Sequence, residues 1–179
     1  MPLIHFETKL FEIGPWIIVR LPESASGKLP SRGQVMVRGT INGNQFQTPL
    51  EPDGKGSHWF RVDPAMQKLT KTEVGDIVAL EIEVVKEWPD PDIPEDLSRA
   101  LSADNHLQPL WKDITPMARW EWLRWIGSTK DSETRKRRIE VACSKLAAGN
   151  RRPCCFNRSM CCVPEVSRNG VLIDPVESP

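Results

Sequence analysis

Tyrosine is absent from all 179 residues, so aromatic burial rests on seven Trp and five Phe. That is still enough apolar surface to exclude a chain disordered throughout. No apolar run approaches the roughly eighteen residues that a membrane-crossing helix needs, so no membrane span is expected. The first twenty residues are interrupted by His5, Glu7, Lys9 and Glu12. They lack the basic-then-apolar order of a secretory leader, and the expected location is cytoplasmic. Net charge is also missing: 24 Lys and Arg balance 24 Asp and Glu. A generic polyanion binder carries a large basic excess, so nucleic acid is not the expected partner. The three histidines, His5, His58 and His106, fall in different segments. Their spacing supports no Ser-His-Asp or Cys-His arrangement. Cysteine does not occur before Cys143, and the total of five is odd. Without a leader, that count disfavours a disulfide framework.

What the chain does contain is a run of strand signals followed by a run of helix signals. Ile4 to Ile13 and Trp16 to Leu21 are apolar-rich and separated by Gly14-Pro15, a turn signal. Residues 22–33 read as a loop. Gln34 to Ile41 partly alternates, and Asn42-Gly43 then separates it from Asn44 to Leu50. An Asn-Gly pair in that setting predicts a tight hairpin, because a type I′ turn needs positive φ at both central residues. His58 to Val62 and the β-branched run Ile77 to Val85 are further strands, with a helical turn at Ala65 to Leu69. Gly39, Gly43, Gly54 and Gly56 are expected as turn glycines. Six or so strands with no long helix between them must pair largely antiparallel, and a closed or nearly closed barrel removes their exposed edges.

Helical signals begin near residue 88. Pro94 to Leu101 opens with Pro and acids, both favourable in a first turn. Asp104 to Trp111 is a second short helix. Thr115 caps a third with Pro116 at its first position, and Gly127 stops it. Ala118, Trp122, Trp125 and Ile126 form one apolar stripe on that helix. Ser128 or Asp131 opens the last helix, which runs to Ala148 before Gly149. The expectation is therefore an α+β chain: a small antiparallel, Greek-key-like β-barrel over residues 1–88, a helical segment packed on it over 89–149, and a Cys- and Arg-rich irregular tail over 150–179. The apolar run Val171-Leu172-Ile173 suggests that this tail folds back.

The segment Gly33 to Glu83, with Arg38-Gly39-Thr40-Ile41-Asn42-Gly43 and Gly75-Asp76-Ile77-Val78, resembles a bacterial barrel domain classed as uncharacterised. The segment Pro94 to Gly149 resembles the YdeI/OmpD-associated, or bacteriocin-protection, family. The resemblance is carried by Pro94-Glu95-Asp96-Leu97, Trp125-Ile126, Lys130 and Glu133 to Ile139. It covers roughly residues 3–149. It implies a stress or antimicrobial-tolerance role, and it brings no catalytic residue with it.

Three features bear on chemistry. Cys154-Cys155 and Cys161-Cys162 form two adjacent pairs. Thiolates bind Zn²⁺ or Cu(I), and Arg151, Arg152 and Arg158 would favour the thiolate form. The spacing is not that of a zinc knuckle, and burial of small apolar thiols is the competing account. Second, nine Lys and Arg stand against three acids between Lys130 and Arg158. Lys130, Arg135, Arg137, Arg138, Arg151 and Arg152 are the candidate partner- or anion-binding residues, although a solvated helix face is the commoner fate of such a run. Third, nine acids stand against Lys86 alone between Glu73 and Asp96. The simplest account is that they lie near the basic helix of the same chain. Asp90 and Asp92 flank Pro91, where a divalent cation has no further support. The Trp120, Trp122 and Trp125 group reads as core. The leading functional expectation is a non-enzymatic binding or stress-protection module. Its partner would be a protein or a small anionic ligand, held at the barrel mouth or on the basic helix. A thiolate metal or redox protein is the alternative, and an enzyme at the barrel cleft comes last.

Overall fold

The structure is a computed structural model, and it describes residues 2–153, 166–168 and 171–175. Contacts divide these residues into two compact units. The first holds residues 2–86 together with 166–168 and 171–175, and the second holds 87–153. The last described part of the chain therefore returns to the first unit after the second has been completed.

The first unit is a seven-stranded antiparallel sheet curled into a half-barrel. Its strands are β1 (Ile4–Lys9), β2 (Phe11–Ile13), β3 (Trp16–Arg20), β4 (Val35–Ile41), β5 (Asn44–Pro52), β6 (His58–Val62) and β7 (Ile77–Val84). The ladder order is β1-β7-β4-β5-β6-β3-β2. The two ends of that order, β1 and β2, are consecutive pieces of chain joined by Leu10 alone. The run Ile4 to Ile13 is thus one strand bent at its middle. Its first half pairs with β7 and its second half with β3. Leu10 is fully buried at the bend, with its N–H bonded to Asp76 O and its C=O to Gly75 N.

The predicted hairpin forms at Asn42 and Gly43, with φ of 46° and 81°. Gly39 is not in a turn. It lies inside β4 opposite Ile82, where a Cβ would stand 1.8 Å from Glu81 O. Only glycine lets β4 and β7 come that close. Residues 22–33, expected as loop, contain a single-turn helix α1 (Glu23–Ser26). Helix α2 (Pro64–Thr70) is capped by the Asp63 carboxylate, which accepts from Met66 N.

Alternation places Ile17 and Val19 of β3 inside the half-barrel, against Phe60, Leu80 and Ile82. Trp16 and Ile18 point to the other face. There Val166 and Leu172 cover them together with Trp59, and the short strands β8 (Ser167–Arg168) and β9 (Val171–Leu172) pair beside them. Both faces of β3 are therefore buried, which is why its sequence is continuously apolar instead of alternating.

The second unit contains α3 (Glu95–Ser102), α4 (Leu107–Asp113), α5 (Pro116–Gly127) and α6 (Ser132–Ala147). Thr115 caps α5 through Ala118 N, and Asp131 caps α6 through Thr134 N. Of the two openings expected for the last helix, Asp131 is the one used. Leu97, Leu101, Trp111, Trp122, Ile126 and Ile139 form the core of this unit. Arg119 donates to the carbonyls of Trp111, Lys112 and Ile114, satisfying the end of α4. It also pairs with Asp90, and Trp120 Nε1 donates to Pro89 O. These bonds tie the stretch before α3 onto α5.

Candidate functional site

The half-barrel opens where the bent strand leaves β3. Phe11 pairs with Ile18, but Val19 and Arg20 have ladder partners only on their β6 side. β1 turns away toward β7, and one side-chain bond, Thr8 Oγ1 to Arg20 O at 2.9 Å, bridges the gap. The seam is a groove of about 380 Å³. Thr8, Lys9 and Phe11 form one wall. Arg20, Leu21, Pro22 and Glu23 form the other.

Arg20 is held from behind. Its Nε donates to Asp53 Oδ2 at 2.8 Å, and Asp53 is fully buried. The other oxygen, Oδ1, accepts from Lys55 N at 2.7 Å and Ser57 N at 2.9 Å. Burial alone would push the Asp53 carboxyl up. The bonds from Ser57, Lys55 and Arg20 outweigh it, and the carboxyl sits below its ordinary value. Asp53 is thus an ionised post in the turn between β5 and β6. Its backbone is fixed in addition by Leu172 N, which donates to Asp53 O. The two terminal Nη groups of Arg20 have no hydrogen bond among the described residues. A guanidinium with its Nε anchored and its fork unoccupied is preorganised for a planar oxyanion.

The wall carrying Glu23 is braced by a second polar group. Ser26 Oγ lies 2.7 Å from His58 Nδ1, and His58 Nε2 lies 2.8 Å from Gly33 O. A carbonyl can only accept, so Nε2 carries the proton and Nδ1 accepts from the Ser26 hydroxyl. Arg32 donates to Ser26 O and, at 3.3 Å, to Ser26 Oγ. Burial holds the imidazole below its ordinary value of 6.5, so it stays neutral. The hydroxyl-imidazole pair has the chemistry of an activated nucleophile. Both side chains are sealed, however: Ser26 is 0% exposed and His58 1%. The pair locks α1 and the following loop onto β6.

The residues singled out from the sequence are placed differently. Arg135 makes a two-point contact with Asp96, at 2.7 Å from Nε and 3.0 Å from Nη2. That contact holds the Asp96 carboxyl low and raises the guanidinium. The acidic and basic tracts therefore meet inside the second unit. Arg138 donates to Trp125 O and Ser128 Oγ and lies over the Trp125 ring. Arg151 binds Asp113, and its carbonyl accepts from Trp122 Nε1. Arg152 stands 3.7 Å from the buried Glu121, whose carboxyl burial pushes up and Arg152 only partly restores. Lys130 and Arg137 lie on the exposed surface, as does Lys136. Four of the six basic candidates thus serve the internal structure of the helical unit.

Cys154, Cys155, Cys161 and Cys162 lie outside the described residues. Among the described residues, no three His, Cys, Asp or Glu side chains converge as a metal site. No helix there is long and apolar enough to cross a membrane. A slightly smaller groove of about 330 Å³ on the second unit, between Ser102 and Lys112, is spanned by the Gln108–Ser102 bond.

Arg20 and Asp53 were not singled out from the sequence. Their separation of 33 residues carries no motif, and only the pairing of β3 with β6 brings them together.

Comparison with known families assigns most of the chain. Residues 90–149 match the family described as bacteriocin-protection, YdeI or OmpD-associated. Residues 3–82 match a domain of unknown function, DUF1905. No curated protein matches the chain. The first match falls within the helical unit and the second within the half-barrel, so the chain matches a DUF1905 domain followed by the bacteriocin-protection, YdeI or OmpD-associated family.

Proposed function

We propose that this chain is a non-catalytic binding module of the bacteriocin-protection type, acting in the cytoplasm. Its ligand enters the seam groove of the half-barrel and rests an oxyanion on Arg20. The observation that carries this reading is the arginine itself, fixed through Nε on a fully buried, ionised Asp53. An arginine held only to stabilise the fold would spend its fork on internal carbonyls, as Arg119 does. The apolar side chains Phe11, Leu21 and Pro22 line the same groove and suit a small organic body beside the anion. The protective role named by the family would then be exercised by capturing a small molecule. The exposed basic residues of α6, Lys136 and Arg137, with Lys130 just before the helix, are the rival location.

Titration of the full chain with isovalerate, followed by backbone amide shifts, separates the two locations. Saturable shifts should cluster on residues 8–11 and 20–23. They should persist in a Lys136→Ala, Arg137→Ala double variant. Arg20→Lys keeps the charge but not the fork, and should weaken binding roughly tenfold, the scale of one lost bidentate contact. Shifts confined to α6, or unchanged affinity in Arg20→Lys, would overturn the reading.

A further inference from the structure

The seam groove has a charge pattern more particular than that of an anion site. Lys9 and Arg20 line it, and so does Glu23. Asp53 lies directly behind Arg20 as its ion-pair partner. Asp174, which pairs with Lys55, also feels the charge of Arg20. Three positive and three negative groups therefore stand at or around the opening, and the local sum is zero. A simple anion gains from Arg20 but meets Glu23. A ligand that is itself neutral, with a separated carboxylate and ammonium, satisfies both.

Glu23 is placed to act on a ligand. It is exposed, and its carboxylate makes no hydrogen bond or ion pair among the described residues. Lys9 likewise forms no ion pair there; its stem lies near Gly75. Lys9 and Glu23 are thus not committed to another charge among the described residues, while Arg20 is held by Asp53 through Nε alone. Between them stand Phe11, Leu21 and Pro22. The volume of about 380 Å³ is at the small end for organic ligands. It suits one or two amino-acid residues better than a folded partner.

We infer that the seam groove binds a small zwitterion with an apolar side chain, of the α-amino acid or dipeptide class. Arg20 receives the carboxylate, Glu23 the ammonium, and Phe11 and Leu21 the side chain. This rests on the groove being the binding site, and it adds the identity of the ligand class. The amine requirement is its distinguishing content, because an oxyanion site alone has no use for it.

Three probes of one shape carry the test: leucine, isovalerate, which keeps the carboxylate only, and isopentylamine, which keeps the amine only. Each is titrated into the full chain and followed by amide shifts of residues 8–11 and 20–23. Leucine should bind at least tenfold more tightly than either fragment. Glu23→Gln lies on the surface and should fold normally. It should bring leucine down to the level of isovalerate while leaving isovalerate at least as tight. Equal binding of leucine and isovalerate in the wild type, or a leucine advantage that survives Glu23→Gln, would overturn the zwitterion inference and leave the oxyanion groove standing. Absence of saturable binding by all three would overturn both.

Discussion

Ser26 and His58 form a bond whose value lies in what happens when one partner is removed. Nδ1 of a sealed imidazole has no water to turn to, so Ser26→Ala strands it. The expected loss is about 1–3 kcal/mol of unfolding free energy, measured by denaturant titration. Glu121 presents the opposite situation. Its carboxyl is buried and held above its ordinary value of 4.5. The folded state therefore binds its proton more readily than the unfolded chain does. That contribution is present below 4.5 and is lost as pH rises through the folded value. Glu121→Gln should match or exceed the wild type in stability at neutral pH. Arg152→Ala should cost about 1–3 kcal/mol at neutral pH, because the carboxylate loses its facing cation. That cost should shrink as the pH is lowered toward 4.5 in the same titration. A cost independent of pH would mean that Arg152 contributes only packing.

Elements in this chain are specified by local chemistry to unequal degrees. The caps are fully local: Thr115 with Pro116, and Asp131, close their helices through bonds three residues long. Thr115→Ala should destabilise the helical unit by about 1 kcal/mol. The Asn42-Gly43 hairpin is equally local, and it was legible for the same reason. Gly39 was not, because its requirement comes from a strand 43 positions away: Ile82 is its ladder partner, and Glu81 O occupies the space of a Cβ. Gly39→Ala should cost on the order of 3 kcal/mol or more, since backbone and not a flexible side chain must move. The bend at Leu10 also escaped the sequence. Ile4 to Ile13 reads as one apolar-rich run, and only the change of partner from β7 to β3 divides it. The basic helix was legible as a charge pattern but not as a contact. Asp96 and Arg135 are 39 residues apart, and it is the packing of α3 on α6 that makes them a pair. The seam groove follows the same logic, because it exists where two ladders part, and no short stretch of chain encodes that.

At the scale of the molecule, the chain leaves the half-barrel, builds the helical unit and comes back to cover Trp16 and Trp59. Leu172, 3% exposed, is the centre of that return. Leu172→Ala should cost about 2–5 kcal/mol. The loss should show as weaker amide-exchange protection in β3 and β6, with α5 and α6 retaining theirs. The two units should also answer acid in opposite directions. His58 holds a proton less readily folded than at its ordinary 6.5, so the half-barrel's stability is full above 6.5 and falls as pH drops toward the folded value. As pH falls through the folded value of Glu121 toward 4.5, the helical unit gains. On acidification from 6.5 toward 4.5, exchange protection corrected for intrinsic rates should decline in β6, and it should rise in α5 once the folded value of Glu121 is passed. Ligand capture is assigned to neither unit's core but to the place where the half-barrel's strands separate. Its most direct test is a crystal structure of the full chain grown in saturating leucine. A carboxylate should lie within about 3 Å of the Arg20 guanidinium, with an ammonium facing Glu23. Leucine bound instead along α6 beside Lys136 and Arg137, with the seam empty, would contradict it.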